Sequence, residues 1–133
     1  MTERPRLSAE EALVFLRVME RFDSPEFERA WRVFCNLAAS CPDYQSFQVN
    51  CPPHSDELAE VERVLRTYDV AGVLVKQGGL NRESLFEVAP SASEVWSKAE
   101  PWVTGMRTEN SRAHQSLEWL AGQYDAWLLM QIG

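Results

Sequence analysis

An all-α fold is what this sequence predicts, and three observations predict it. Leu58, Val61, Leu65, Tyr68, Gly72 and Val75 recur at steps of three and four, the spacing that lines one face of a helix. Residues suited to capping stand at the head of each apolar run, and no stretch alternates apolar and polar as a half-buried strand would. The expectation is one domain over residues 1–133, a bundle of about five or six helices with one long loop containing Pro and Cys.

The first helix starts at Ser8, whose partner Glu11 completes a capping-box pattern, and carries Leu13, Phe15, Leu16, Val18 and Phe22 before stopping near Asp23. Ser24-Pro25-Glu26 restarts the chain: Ser caps, Pro at the first helical position forfeits no needed N–H, and Glu suits the positive end of the dipole. Phe27, Ala30, Trp31, Phe34 and Ala38 form the buried stripe of this second helix. From Ser40 to Ser55 the periodicity vanishes, and Pro42, Pro52 and Pro53 mark an irregular segment.

Ser55 and Asp56 open the long central helix, which reaches Lys76 and ends at Gly78-Gly79, where glycine can adopt the left-handed conformation of a C-cap. Within it, Gly72 suits a close helix approach, and Asp69 is a carboxylate set beside the apolar stripe. Asn81 caps a short helix through Leu85, Phe86 and Val88 that Pro90 closes. Ser91 and Glu94 begin another with Val95, Trp96, Ala99, Trp102, Val103 and Met106, which Pro101 is expected to kink or split. The last helix aligns Leu117, Leu120, Ala121, Tyr124 and Leu128. Trp119 and Met130 project off that stripe, and Trp127-Leu128-Leu129-Met130 is apolar all round, more than one buried face requires.

The formal net charge of −7 argues against nucleic acid, whose binding depends on clustered Lys and Arg. The thirteen basic residues do not cluster along the sequence, and although Arg29, Arg32, Arg63 and Arg66 fall at helical intervals, Glu28 and Glu62 beside them oppose a basic groove. Acid is in excess at Asp43, Asp56, Glu57 and Glu60, which reads first as a solvated face and second as a docking patch for a basic partner. No apolar run approaches membrane-spanning length and no targeting signal is evident, so the expected location is the cytoplasm. Three cysteines without a signal peptide suit reduced thiols.

The block ERVLRTYDVAGVLVKQGGLNRESLFEV, then EVWSKAEPWVTGMR, then LEWLA, resembles an uncharacterised bacterial helical family catalogued only as a domain of unknown function. The resemblance runs in order of elements from RFDSPEFERAWRVF to the final helix. It implies a helical fold and no catalytic residues. Members of that family often look as if a membrane-spanning helix precedes them.

Four side chains are candidate metal ligands: Cys35, Cys41, Cys51 and His54, thiolates and an imidazole of the kind a tetrahedral structural zinc takes. Their spacing lacks paired C-x-x-C knuckles, and Cys35 shares a helical face with Phe27, Trp31 and Phe34, where a cysteine packs as a small apolar residue. Otherwise no cofactor is expected. Cys51 with His54 is the local thiol–imidazole pair, and His114 with Glu118 lies one helical turn apart. The leading expectation is a non-catalytic protein–protein interaction or regulatory module, meeting a protein partner or a copy of itself through Trp119, Trp127, Leu129 and Met130. The alternatives are a small-ligand binder or enzyme with a pocket between helices, and a zinc-stabilised helical domain.

Overall fold

Seven helices and no strand make up the described residues, 7–132, of the computed structural model. They are α1 (Ala9–Phe22), α2 (Pro25–Ser40), α3 (Tyr44–Asn50), α4 (Asp56–Lys76), α5 (Arg82–Val88), α6 (Ala92–Met106) and α7 (Gln115–Ile132). The central helix α4 is flanked by α2 and α7; α6 packs on α7, and α3 on α6.

The helix starts follow the capping chemistry of the sequence. Ser8 and Glu11 exchange both bonds of a capping box, and the hydroxyls of Ser24, Ser55 and Ser91 each accept the N–H three residues on. At the other end of α4, Gly78 takes φ +79, and the Gly79 and Gly78 amides donate to the carbonyls of Leu74 and Val75. This is a Schellman stop, which a glycine with no Cβ permits without strain.

The helix count exceeds the expected five or six because the segment from Ser40 to Ser55 is not wholly irregular. Asp43 accepts the Ser46 N–H at 2.8 Å and starts the seven residues of α3. Two turns are too short for an apolar period to register, and α3 holds through a single buried anchor, Phe47. Phe47 stacks on Trp102 of α6 at 4.6 Å between ring centroids, and the ring of Tyr44 occupies the space a Cβ at Gly105 would need. Pro101 does not split α6, which continues from Ala92 to Met106. Ser97, whose carbonyl loses its donor to the proline, lies with Pro101 on the exposed side, open to water.

The core holds two sets of aromatic contacts. Phe22 of α1 and Phe27 of α2 meet Tyr68 of α4, whose hydroxyl donates to the Pro90 carbonyl at 2.8 Å. Phe86, Tyr124 and Trp127 form a second cluster. The α7 stripe differs from expectation in its last position: Trp127 is buried where Leu128 was expected, and Leu128 faces out. Among the described residues, no helix is long and apolar enough to cross a membrane.

Candidate functional site

Asp69 projects from α4 toward the start of α7, and the reason is local. Its neighbours Tyr68 and Gly72 face the core, so position 69 falls at the edge of that face, against the N-terminus of α7. Asp69 Oδ1 accepts the Leu117 N–H at 2.9 Å, and Oδ2 lies 2.6 Å from His114 Nδ1. Leu117 is third in α7, so its N–H is one of the first four with no partner inside the helix. Asp69 therefore caps α7 from another helix. His114 occupies the turn into α7 with φ 53, a left-handed conformation that a non-glycine residue adopts at some cost. One turn along α4, a Cβ at Gly72 would stand 2.6 Å from the Ser116 carbonyl oxygen, so only glycine allows the two backbones so close.

An Asp–His pair is also the orienting half of many acid–base sites. Here both carboxylate oxygens are committed to α7. His114 does not pair with Glu118, the partner suggested by helical spacing; Glu118 binds Arg107 at 2.8 Å.

Cys41 and Cys51 cap the C-termini of α2 and α3, and both are buried. The Cys41 carbonyl accepts the Trp102 indole N–H at 2.8 Å, which ties α2 to α6. Burial, then the neighbouring Cys41 and Glu57, pushes the Cys51 thiol up to about 11. Burial also raises the Cys35 thiol, with Lys98 opposing it. His54 is exposed, in a left-handed turn. Among the described residues no three His, Cys, Asp or Glu side chains converge as a metal-binding group, and Cys35, Cys41, Cys51 and His54 are not gathered into one.

The C-terminal helix divides its candidate residues. Trp127 packs on Phe86 and Tyr124, its buried indole N–H without a hydrogen-bond partner among the described residues, and Trp119 is half-buried beneath the Lys76 ammonium. Leu129, Met130 and Ile132 instead stand 72%, 65% and 82% exposed.

A further surface was missed in the sequence. Arg17 and Arg21 of α1 meet Arg63 and Arg66 of α4 around a groove of about 870 Å³, together with Glu20, Glu26 and Glu62. The arginines, scattered along the sequence, are brought together by the packing of α1 on α4, and the groove is of mixed charge, with Glu62 among its three carboxylates as the sequence suggested. Next to it, sharing Arg17, Arg21 and Thr67, lies an apolar groove of about 380 Å³. The only signal in the sequence was the surplus on α1, where Leu13 and Leu16 remain 55% and 58% exposed. The acidic excess near the loop, by contrast, resolves into local roles. Asp43 caps α3, its carboxyl held below the usual range by the Ser46 amide and hydroxyl; Asp56 and Glu57 occupy the first turn of α4; Glu60 lies 3.7 Å from Arg29.

A family model described as Domain of unknown function (DUF4760) matches residues 15–124. The chain belongs to that family. The DUF4760 match begins inside α1 and stops within α7 at Tyr124, so it takes in the Asp69–His114 junction and both grooves apart from Leu13 and Val14. No curated protein and no solved structure matches the chain.

Proposed function

We propose that this DUF4760 chain is a protein–protein interaction module that associates with copies of itself, and that the C-terminal turns of α7 are its adhesive element. The observation that carries this reading is the run from Leu128 to Ile132, where four of five residues are apolar and exposed on a helix whose buried stripe is already complete at Trp127. Contiguous apolar surface of this kind gains free energy by leaving water, and association is the route open to a helix that its own bundle does not cover. The polar residues with the best geometry lend support of another kind, since Asp69 and His114 are engaged in fixing α7 to α4.

Sedimentation over a range of concentrations tests the reading. The wild-type chain should associate reversibly, whereas the double variant Leu129→Asp, Met130→Asp should remain monomeric. Its helicity and melting temperature should match wild type, because exposed positions change stability by no more than about 0.5 kcal/mol. A wild-type chain that is monomeric throughout, or a double variant that associates as well as wild type, overturns the proposal.

A further inference from the structure

Resting on the reading of α7 as an adhesive end, we infer that its acceptor is the apolar groove between α1 and α4 of a second copy, so that copies join head to tail. The groove is built from one face of each helix. Leu13, Val14 and Val18 of α1 oppose Val70, Ala71 and Leu74 of α4 across about 380 Å³, space for a few aliphatic side chains. Arg17 and Arg21, one turn apart on α1, line the same groove, and neither makes an ion pair among the described residues.

The end of α7 complements that surface in apolar character and in charge. Glu118 and Asp125 are the only charged residues from Gln115 to Ile132, so the helix carries no cation. Glu118 is taken by Arg107, which leaves Asp125. Counting from Asp125, Leu128 and Leu129 follow at three and four residues and Ile132 at seven, so an exposed carboxylate shares one face with exposed aliphatic side chains. Such a face lays its aliphatic residues into an apolar groove as helix-in-groove recognition does, with Asp125 brought to the arginine rim. Within one chain the α7 end and the groove are both exposed, so neither covers the other.

Because groove and end are different patches, the contact is heterologous. A chain carrying both adds further copies, giving a ladder of species as concentration rises. Two variants separate the surfaces: Arg17→Glu, Arg21→Glu disables the groove, and Leu129→Asp, Met130→Asp disables the end. Sedimentation should find each monomeric, with self-association weakened at least about tenfold. Their equimolar mixture should form a species that stops at one copy of each, because it holds one intact groove and one intact end. Val70→Asp, approaching the groove from α4, is a second groove variant should the arginine pair fold poorly, and it should behave alike.

Groove variants that self-associate like wild type overturn the inference while leaving the α7 reading intact, with the ends then meeting each other. A mixture that stays monomeric overturns it as well. A wild-type chain that never associates removes both this inference and the reading beneath it.

Discussion

Helix α4 has two seams, and they are finished differently. Toward α7 it offers Gly72, which lets backbones touch, and Asp69, whose two oxygens satisfy His114 and the Leu117 N–H. Toward α1 it offers Val70 and Leu74, in a groove with Arg17 and Arg21 beside it, and no side-chain hydrogen bond between α1 and α4 closes that seam among the described residues. The lesson lies in what each seam leaves over. Close approach and a shared carboxylate engage the polar groups that face each other there, which makes the α7 seam structural. Apolar side chains beside arginines that make no ion pair among the described residues leave the α1 seam with unspent contacts, the condition for binding something else.

Damage at the closed seam should cost stability and damage at the open one should not. Leu117→Ala should have the largest effect, since Leu117 is fully buried on α7, and loss of about 2–5 kcal/mol is expected from urea unfolding. Asp69→Ala follows at about 2–3 kcal/mol, because it leaves the Leu117 N–H without its cap and His114 in a left-handed turn without its partner. Asp69→Asn should recover part of that loss, since an amide oxygen can still accept the N–H.

Alkaline pH probes the core beneath the open seam. Burial first, and Glu94 and other neighbours after it, hold the Tyr68 hydroxyl protonated far above its ordinary value. Unfolded, the same tyrosine loses its proton near pH 10, so above that point the unfolded chain binds fewer protons than the folded one. Stability should be unaffected by this group below about pH 10 and then fall by up to about 1.4 kcal/mol per pH unit. Tyr68→Phe should remove that part of the alkaline slope, which denaturant titrations at several pH values would reveal.

Gly72→Ala should cost about 1 kcal/mol, the clash with the Ser116 carbonyl outweighing the better helix propensity of alanine. The smallest effect belongs to the open seam: Leu13→Ser should move the unfolding free energy by about 0.5 kcal/mol or less. A larger loss there would mean that α1 is held as firmly as α7, and the contrast between the seams would collapse.

The parts of this molecule legible in the sequence are those governed by neighbours along the chain. Ser8, Ser24, Ser55, Asn81 and Ser91 each cap the helix that follows, and Gly78 ends α4, because a cap needs a side chain within three residues of the N–H it serves. The short α3 escaped because seven residues hold too few turns to show a period, although Asp43 and Ser46 carried its start signal. Of the candidate residues at the end of the chain, Leu129 and Met130 are exposed, while Trp119 and Trp127 lie against Lys76 and the Phe86 cluster. Apolar periodicity says that a face seeks cover and does not say which neighbour supplies it.

The starts of the serine- and asparagine-capped helices, the glycine stop of α4 and its apolar stripe were thus determined by the sequence alone, through capping and spacing that act within a few residues. Three things were decided only by tertiary structure: that Asp69 caps a helix 48 positions away, that four arginines from α1 and α4 meet around one groove, and that the surplus of α7 begins after Trp127. Each depends on how two helices cross. Crossing geometry arises from side chains fitting against one another across distant parts of the chain, and a single sequence carries no local mark of it.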